Sequence, residues 1–341
     1  MIGPAVERAL GPVDLLRRDV LRVLGRPLAP LWADRGLRVT LLGLVSVSLA
    51  LGLAARLPLW TLAVAPLLLG VPHLVGDARY LVARQGLLPR RRVLLAALLP
   101  VAAATLLGRL DVSFAALIAL ALVAQAPWSR RAAVMVAGAG AAALAFTYAG
   151  VFGRAFAHGH NLVALGLWAY WARGLGRGRW LVLALVAAGV AALLGGALDG
   201  PLFRDLRAPA RGLDAHALVE SLALVSPWSD PLGALRQTAV FAFLQGVHYA
   251  VWLRLLPEED RARAAPRPFA SSWRALVDDL GAPFALGAAA LSVAFALAAF
   301  AALASARDAY LRLALGHGTL ELAVVALAWM ERAPLRRASS P

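Results

Sequence analysis

The 341-residue chain contains no cysteine. That excludes structural disulfides, thiolate-held zinc, iron–sulfur clusters and covalently attached c-type haem. Any metal here must be held by histidine, carboxylate or backbone oxygen. Lysine is also missing, so that all 34 basic residues are arginine; with abundant alanine this reflects a GC-rich genome and carries no mechanism. Charge is scarce. Charged residues make up 16% of the chain against 61% hydrophobic, and the mean hydropathy is +0.73, a balance that no ordinary soluble domain shows. The formal charge of +15 does not point to nucleic acid, because the arginines sit in short connections between apolar runs, where the positive-inside rule accounts for them. Residues 1–37 lack an uninterrupted apolar stretch of signal-peptide type, so no cleavable signal is expected. There is no internal repeat, no low-complexity tract beyond alanine-richness, and no linker long enough to separate a second domain from the first, which favours one membrane domain.

What is present is a succession of apolar runs. A helix needs about 20 residues to cross a bilayer, and by that measure the chain offers about ten spans: 38–55, 58–81, 93–108, 112–128, 132–151, 156–173, 180–198, 236–255, 281–304 and 308–330. The expected fold is therefore an all-α polytopic membrane bundle over 38–330, in a bacterial inner membrane. Placing both termini in the cytoplasm puts most arginines, including the run PRRR at 89–92, on the inner side. Residues 1–37, with the stretch PVDLLRRDVLRVLG, are expected to lie as an amphipathic helix on the inner surface, and 331–341 as a cytoplasmic tail. The connection 199–235 holds Asp199, Asp205, Asp214, Glu220 and Asp230 around GLDAHALVESLALV, which predicts an outer interfacial helix or lid; His216 within it reads as a solvated loop residue.

Ionisable residues inside the runs are costly and normally mark function. GVPHLVGDARY at 70–80 places His73 and Asp77 at i and i+4, on one face of a helix, with Pro72 inviting a kink beside them. AHGHN at 157–161, QGVHY at 245–249 and GHGTLE at 316–321 repeat the theme with His158, His160, His248 and His317. In the expected topology these lie on spans that all run outside to inside, at similar depth, so four helices can bring them to one buried site. His158 and His160 are about 200° apart on a helix, so one of them faces in, and His160 is favoured as the deeper. Glu321 follows His317 by four residues as Asp77 follows His73. Both carboxylates are therefore candidates for a metal ligand or for an acceptor behind a ligating histidine. Asp77 also reads as a partner for Arg79. Glycines beside the histidines (Gly70, Gly159, Gly246, Gly316 and Gly318) would let helices approach closely. Neutral imidazoles suit iron, zinc or copper, and a site with open positions favours non-haem Fe(II).

The stretch GVPHLVGD resembles the G-x-P-H-G-x-x-D signature of the Brp/Blh family of integral-membrane β-carotene 15,15′-dioxygenases, and FAFLQGVHYAVW at 241–252 is similar to that family's later histidine-bearing helix. The resemblance implies a histidine-bound iron, metal roles for His73 and His248, a role for Asp77, and a lipophilic polyene drawn from the bilayer, such as a carotenoid cleaved to retinal. The family helix carries a second histidine four residues on, where this chain has Trp252, so the missing ligand would come from His160, His158 or His317. Other histidine–metal membrane enzymes fit less well, since the chain has no HxxxH or HxxHH box and no HExxH motif, and neither a phosphate-binding glycine loop nor an aspartate-rich prenyl-diphosphate motif occurs. Two other classes stay open. One is a b-type haem protein with His248 and His317 as axial ligands; the other is a transporter or proton conductor using Asp77, Glu321 and the histidines as a relay.

Overall fold

The computed structural model describes residues 3–202, 230–259 and 268–335, and among these every regular element is helical. Among the described residues six helices are long and apolar enough to cross a membrane: Arg35–Arg56, Pro58–Ala83, Arg177–Leu194, Leu232–Glu258, Ala282–Ala301 and Leu303–Glu331. The chain is thus an apolar helical bundle of membrane-embedded type. The stretch 203–229, with His216 and the expected interfacial helix, lies outside the described residues.

In chain order the helices are α1 (Gly3–Ala33), α2 (Arg35–Arg56), α3 (Pro58–Asp77), α4 (Arg91–Leu107), α5 (Leu110–Ser113), α6 (Ala115–Val123), α7 (Trp128–Thr147), α8 (Ala149–Trp171), α9 (Arg177–Leu194), α10 (Pro231–Ala250), α11 (Phe269–Leu280), α12 (Ala282–Ala301), α13 (Leu303–Leu313) and α14 (His317–Glu331). Start and stop signals are local. The Asp34 carboxylate accepts from Leu37 N–H at 2.8 Å and opens α2. Asp230 with Pro231 behind it opens α10 in the same way. Gly108 closes α4 at φ +66, a conformation that suits glycine.

Two helices show how the bundle is layered. Over its most apolar window α10 has 78% of its residues buried, whereas α12, the more apolar of the two, has 6%. A helix that is apolar all round belongs either inside a core or against lipid, and the two take the two places. Helix α10 packs against α2, α3, α8 and α9; α3 also meets α12 and α13; α14 rests on α4, α6 and α8. The outer surface carries Leu106, Val136, Phe146 and Phe300 well exposed, an apolar belt of the kind water does not tolerate over a large area.

Three features depart from the spans expected from sequence. The fourth breaks at Phe114 and ends at Val123. The tenth is interrupted at Ala314–Gly316, so that His317 begins α14. Pro72 causes no break; the irregularity comes after Asp77, where α3 continues as a π-helical turn, Ala78–Ala83, and α10 continues likewise through Val251–Leu255. Such wide turns recur beside functional sites. On the arginine-rich side, α11 is an amphipathic helix absent from the expected spans. It packs on α1, and Asp14 of α1 accepts from Phe269 N–H at 2.7 Å and Ala270 N–H at 3.1 Å, capping it.

Candidate metal centre

Helices α3, α8, α10 and α14 meet where they carry His73, His160, His248 and His317. Ring centroids lie 5.2 Å apart for His73–His248, 4.9 Å for His73–His317, 5.0 Å for His160–His248, 4.9 Å for His160–His317 and 6.0 Å for His248–His317. His158 turns away and packs on Phe241 at 5.0 Å, as the angular offset between the two positions requires. Of the five glycines beside the histidines, four sit at close approaches. A Cβ on Gly70 would strike the Tyr310 ring, and one on Gly246, Gly316 or Gly318 would press on Ala50, Val101 or His160. Gly159 meets nothing and has no such role.

The hydrogen bonds set the tautomers. Nδ1 of His73 faces the carbonyl oxygen of Gly70, Nδ1 of His160 that of Ala157 at 2.9 Å, and Nδ1 of His317 that of Ala314. A carbonyl only accepts, so each Nδ1 carries the proton and donates, which leaves each Nε2 a lone pair. In His73 and His317 that Nε2 is buried without a partner, and in His248 both ring nitrogens are. Buried polar atoms are ordinarily satisfied, and three imidazoles failing together at one point constitute a donor set.

The carboxylates join them. Asp77 and Glu321 are 2% and 0% exposed. Arg79 does not pair with Asp77: its Nε donates to Asp279 at 2.6 Å, and Arg84 reaches the same carboxylate at 2.9 Å. Asp77 keeps both oxygens without a hydrogen bond, and Glu321 keeps Oε2. Glu321 Oε1 accepts from Trp252 Nε1 at 3.1 Å and lies 3.9 Å from His248 Nε2. Donor atoms of His73, His248 and His317 lie within 4.8 Å of one another, as do those of Asp77, His317 and Glu321. Two donors each about 2.1 Å from an ion lie at most about 4.2 Å apart, close to the 4.8 Å within which each triad already lies. Two carboxylates, if ionised, would match the charge of one divalent cation, and a cation held between them would offset the cost of burying them.

Four neighbours complete the surroundings, and sequence reading missed their roles. Tyr310 places its hydroxyl 3.3 Å from His73 Nδ1, and Tyr249 lies against His73 with ring centroids 4.9 Å apart. Gln245 donates to the Tyr249 hydroxyl at 3.3 Å. Trp252, four residues after His248, donates its Nε1–H to Glu321. The spacing of Gln245, Tyr249 and Trp252 around His248, within about one helical turn on either side, was the available signal for three of them; nothing in the local sequence marks Tyr310. A cavity of about 480 Å3 reaches His160 and His317 from the end of the bundle where Arg109 and Asp111 lie.

Comparison with protein-family models, with curated proteins and with solved structures finds no match to this chain.

Proposed function

We propose that the chain is a metal-dependent oxygenase of the bacterial inner membrane, with ten spans and both termini in the cytoplasm, acting on a lipophilic polyene such as a carotenoid. The observation that carries the reading is the convergence of unpartnered imidazole nitrogens with both oxygens of Asp77 and Oε2 of Glu321, likewise unpartnered, in an apolar bundle. In support of ten spans, α4, the pair α5–α6, α7 and α8 lie between the six strongly apolar helices. Helix α8 is interrupted in its apolar character because it carries Arg154, His158, His160 and Asn161.

His73, His160, His248 and His317 would hold the ion through Nε2, with Asp77 and Glu321 as further ligands or as acceptors that tune it. Fe(II) suits this nitrogen–oxygen set and, when bound, supplies the activation of dioxygen. The backbone carbonyls of Gly70, Ala157 and Ala314 keep three imidazoles turned toward the ion. Trp252 steadies Glu321 through its N–H. The surrounding apolar helices exclude water from the point where an oxidised chain would otherwise react with it. Oxidative cleavage of a C=C bond by O2, one oxygen atom passing to each new carbonyl, balances without an external reductant.

The haem reading fits less well. His73 lies 5.2 Å from His248 and 4.9 Å from His317, in the space a porphyrin ring between those two would need. Metal analysis of chain purified in detergent under nitrogen, followed by oxygen uptake with a conjugated polyene, tests the proposal. It fails if the chain binds no iron stoichiometrically, or if His248→Ala leaves metal and oxygen uptake intact.

A further inference from the structure

The cavity that reaches the histidines has a composition of its own. Along α8 it is lined by Ala149, Gly153, Phe156, Ala157 and His160, positions that share one helical face. From Ala149 to His160 the helix advances about 16 Å, roughly half the ~30 Å thickness of the hydrocarbon layer. The inner end is His160 and His317, the latter with its Nε2 buried and unpartnered. The outer end is Arg109 and Asp111, joined by two hydrogen bonds of 3.1 and 2.6 Å, with the guanidinium half-exposed and also over the Phe146 ring at 5.4 Å. Between the ends the walls are alanine, glycine, leucine and phenylalanine. A Cβ built on Gly153 meets no atom within 4 Å, so the space beside it is free.

The geometry points to the substrate class: an extended apolar chain ending in a hydroxyl, with the hydroxyl held by the Arg109–Asp111 pair and a bond about half a membrane-thickness inward presented to the histidines. A hydroxyl both donates and accepts, so it satisfies an oxygen of Asp111 and an N–H of Arg109 together. A carboxylate would meet repulsion from Asp111 and compete with it for the guanidinium. A hydrocarbon end offers the pair nothing. This assignment rests on the reading of the histidines as the reacting centre, but its test does not.

Three conjugated octadecatetraenes that differ only at one end, as alcohol, carboxylic acid and hydrocarbon, are titrated onto the full detergent-purified chain, and bound polyene per chain is counted by native mass spectrometry. The alcohol binds at least ~10-fold more tightly than the hydrocarbon, the size of one hydrogen bond to a charged group. The Arg109→Gln/Asp111→Asn variant brings that ratio near one. Gly153→Phe, which fills the free space, and Ala149→Trp, which narrows the exposed mouth should the first variant misfold, each weaken all three ligands at least tenfold. Equal binding of alcohol and hydrocarbon by the unaltered chain overturns the assignment, as does undiminished binding by both cavity variants. Absence of bound iron would sink the proposed oxygenase while leaving this ratio standing, so the two failures are distinguishable.

Discussion

Two regions of this molecule bury charge, and they do so oppositely. On the arginine-rich side, Arg38 and Glu258 are 1% and 0% exposed and meet at 3.4 Å, Arg35 donates to the Glu258 carbonyl oxygen at 3.1 Å, Arg79 and Arg84 share Asp279, and Arg90 grips Glu331 through two nitrogens. Each of these carboxylates has its cation in the chain. Around His73, His248 and His317 no cation of the protein approaches Asp77 among the described residues, and the imidazole nitrogens face one another. The arginine-rich carboxylates thus hold helices together through partners in the chain, whereas Asp77 and one oxygen of Glu321 are buried with no hydrogen-bond partner beside histidine nitrogens that could share an ion with them.

The strongest way to break the contrast is to remove the shared histidine. His317 belongs to both donor triads, and His317→Ala is expected to abolish bound metal, read as iron per chain, while the helices survive in circular dichroism. Next comes the paired side. Arg38→Met removes the buried half of the Glu258 ion pair and leaves Arg254 at 3.6 Å, so a loss of about 1–3 kcal/mol in stability is expected, read by thermal unfolding in detergent with the metal content of the folded fraction unchanged. The carboxylates at the centre sharpen the contrast because they respond with two signs. Asp77→Asn and Glu321→Gln are expected to lower metal affinity ~10- to 100-fold. In chelator, however, both raise the unfolding temperature, since a neutral amide costs less to bury than an unpaired carboxylate. A drop in that temperature would place these residues with the structural pairs. The smallest effect belongs to Trp252→Phe, which removes the N–H held by Glu321; a loss of ~1.5 kcal/mol, about tenfold in metal affinity, is expected from competition with a graded chelator.

Much of the fold was readable from apolar length alone. The expected spans 38–55 and 281–304 fall on Arg35–Arg56 and Ala282–Ala301, because membrane-length apolar runs leave few alternatives. Where the reading failed, the cause lay in contacts between distant segments. Arg79 sits near Asp77 in sequence, yet its partner is Asp279, on an amphipathic helix whose docking against the end of α3 no local pattern announces. The π-helical turns at Ala78–Ala83 and Val251–Leu255 have no marker in the local sequence, whereas Pro72, the residue that looked like a breaker, lies inside continuous helix. For the site, the periodicity that separated His160 from His158 is a property of one helix and was legible. Tyr310 reaches His73 only because Gly70 on the facing helix has no side chain, a fact that belongs to a pair of helices.

The order in which the donors occur along the chain has a consequence for biosynthesis. His73 arrives with the second apolar helix and His317 with the last described one, so a ribosome inserting helices in sequence delivers three of the four imidazoles and one carboxylate well before the other. Until α14 docks against α4, α6 and α8, the nascent bundle carries Asp77 with neither its companion Glu321 nor a complete donor set. On the proposed reading, an ion would therefore load only once the last of these helices has joined the bundle.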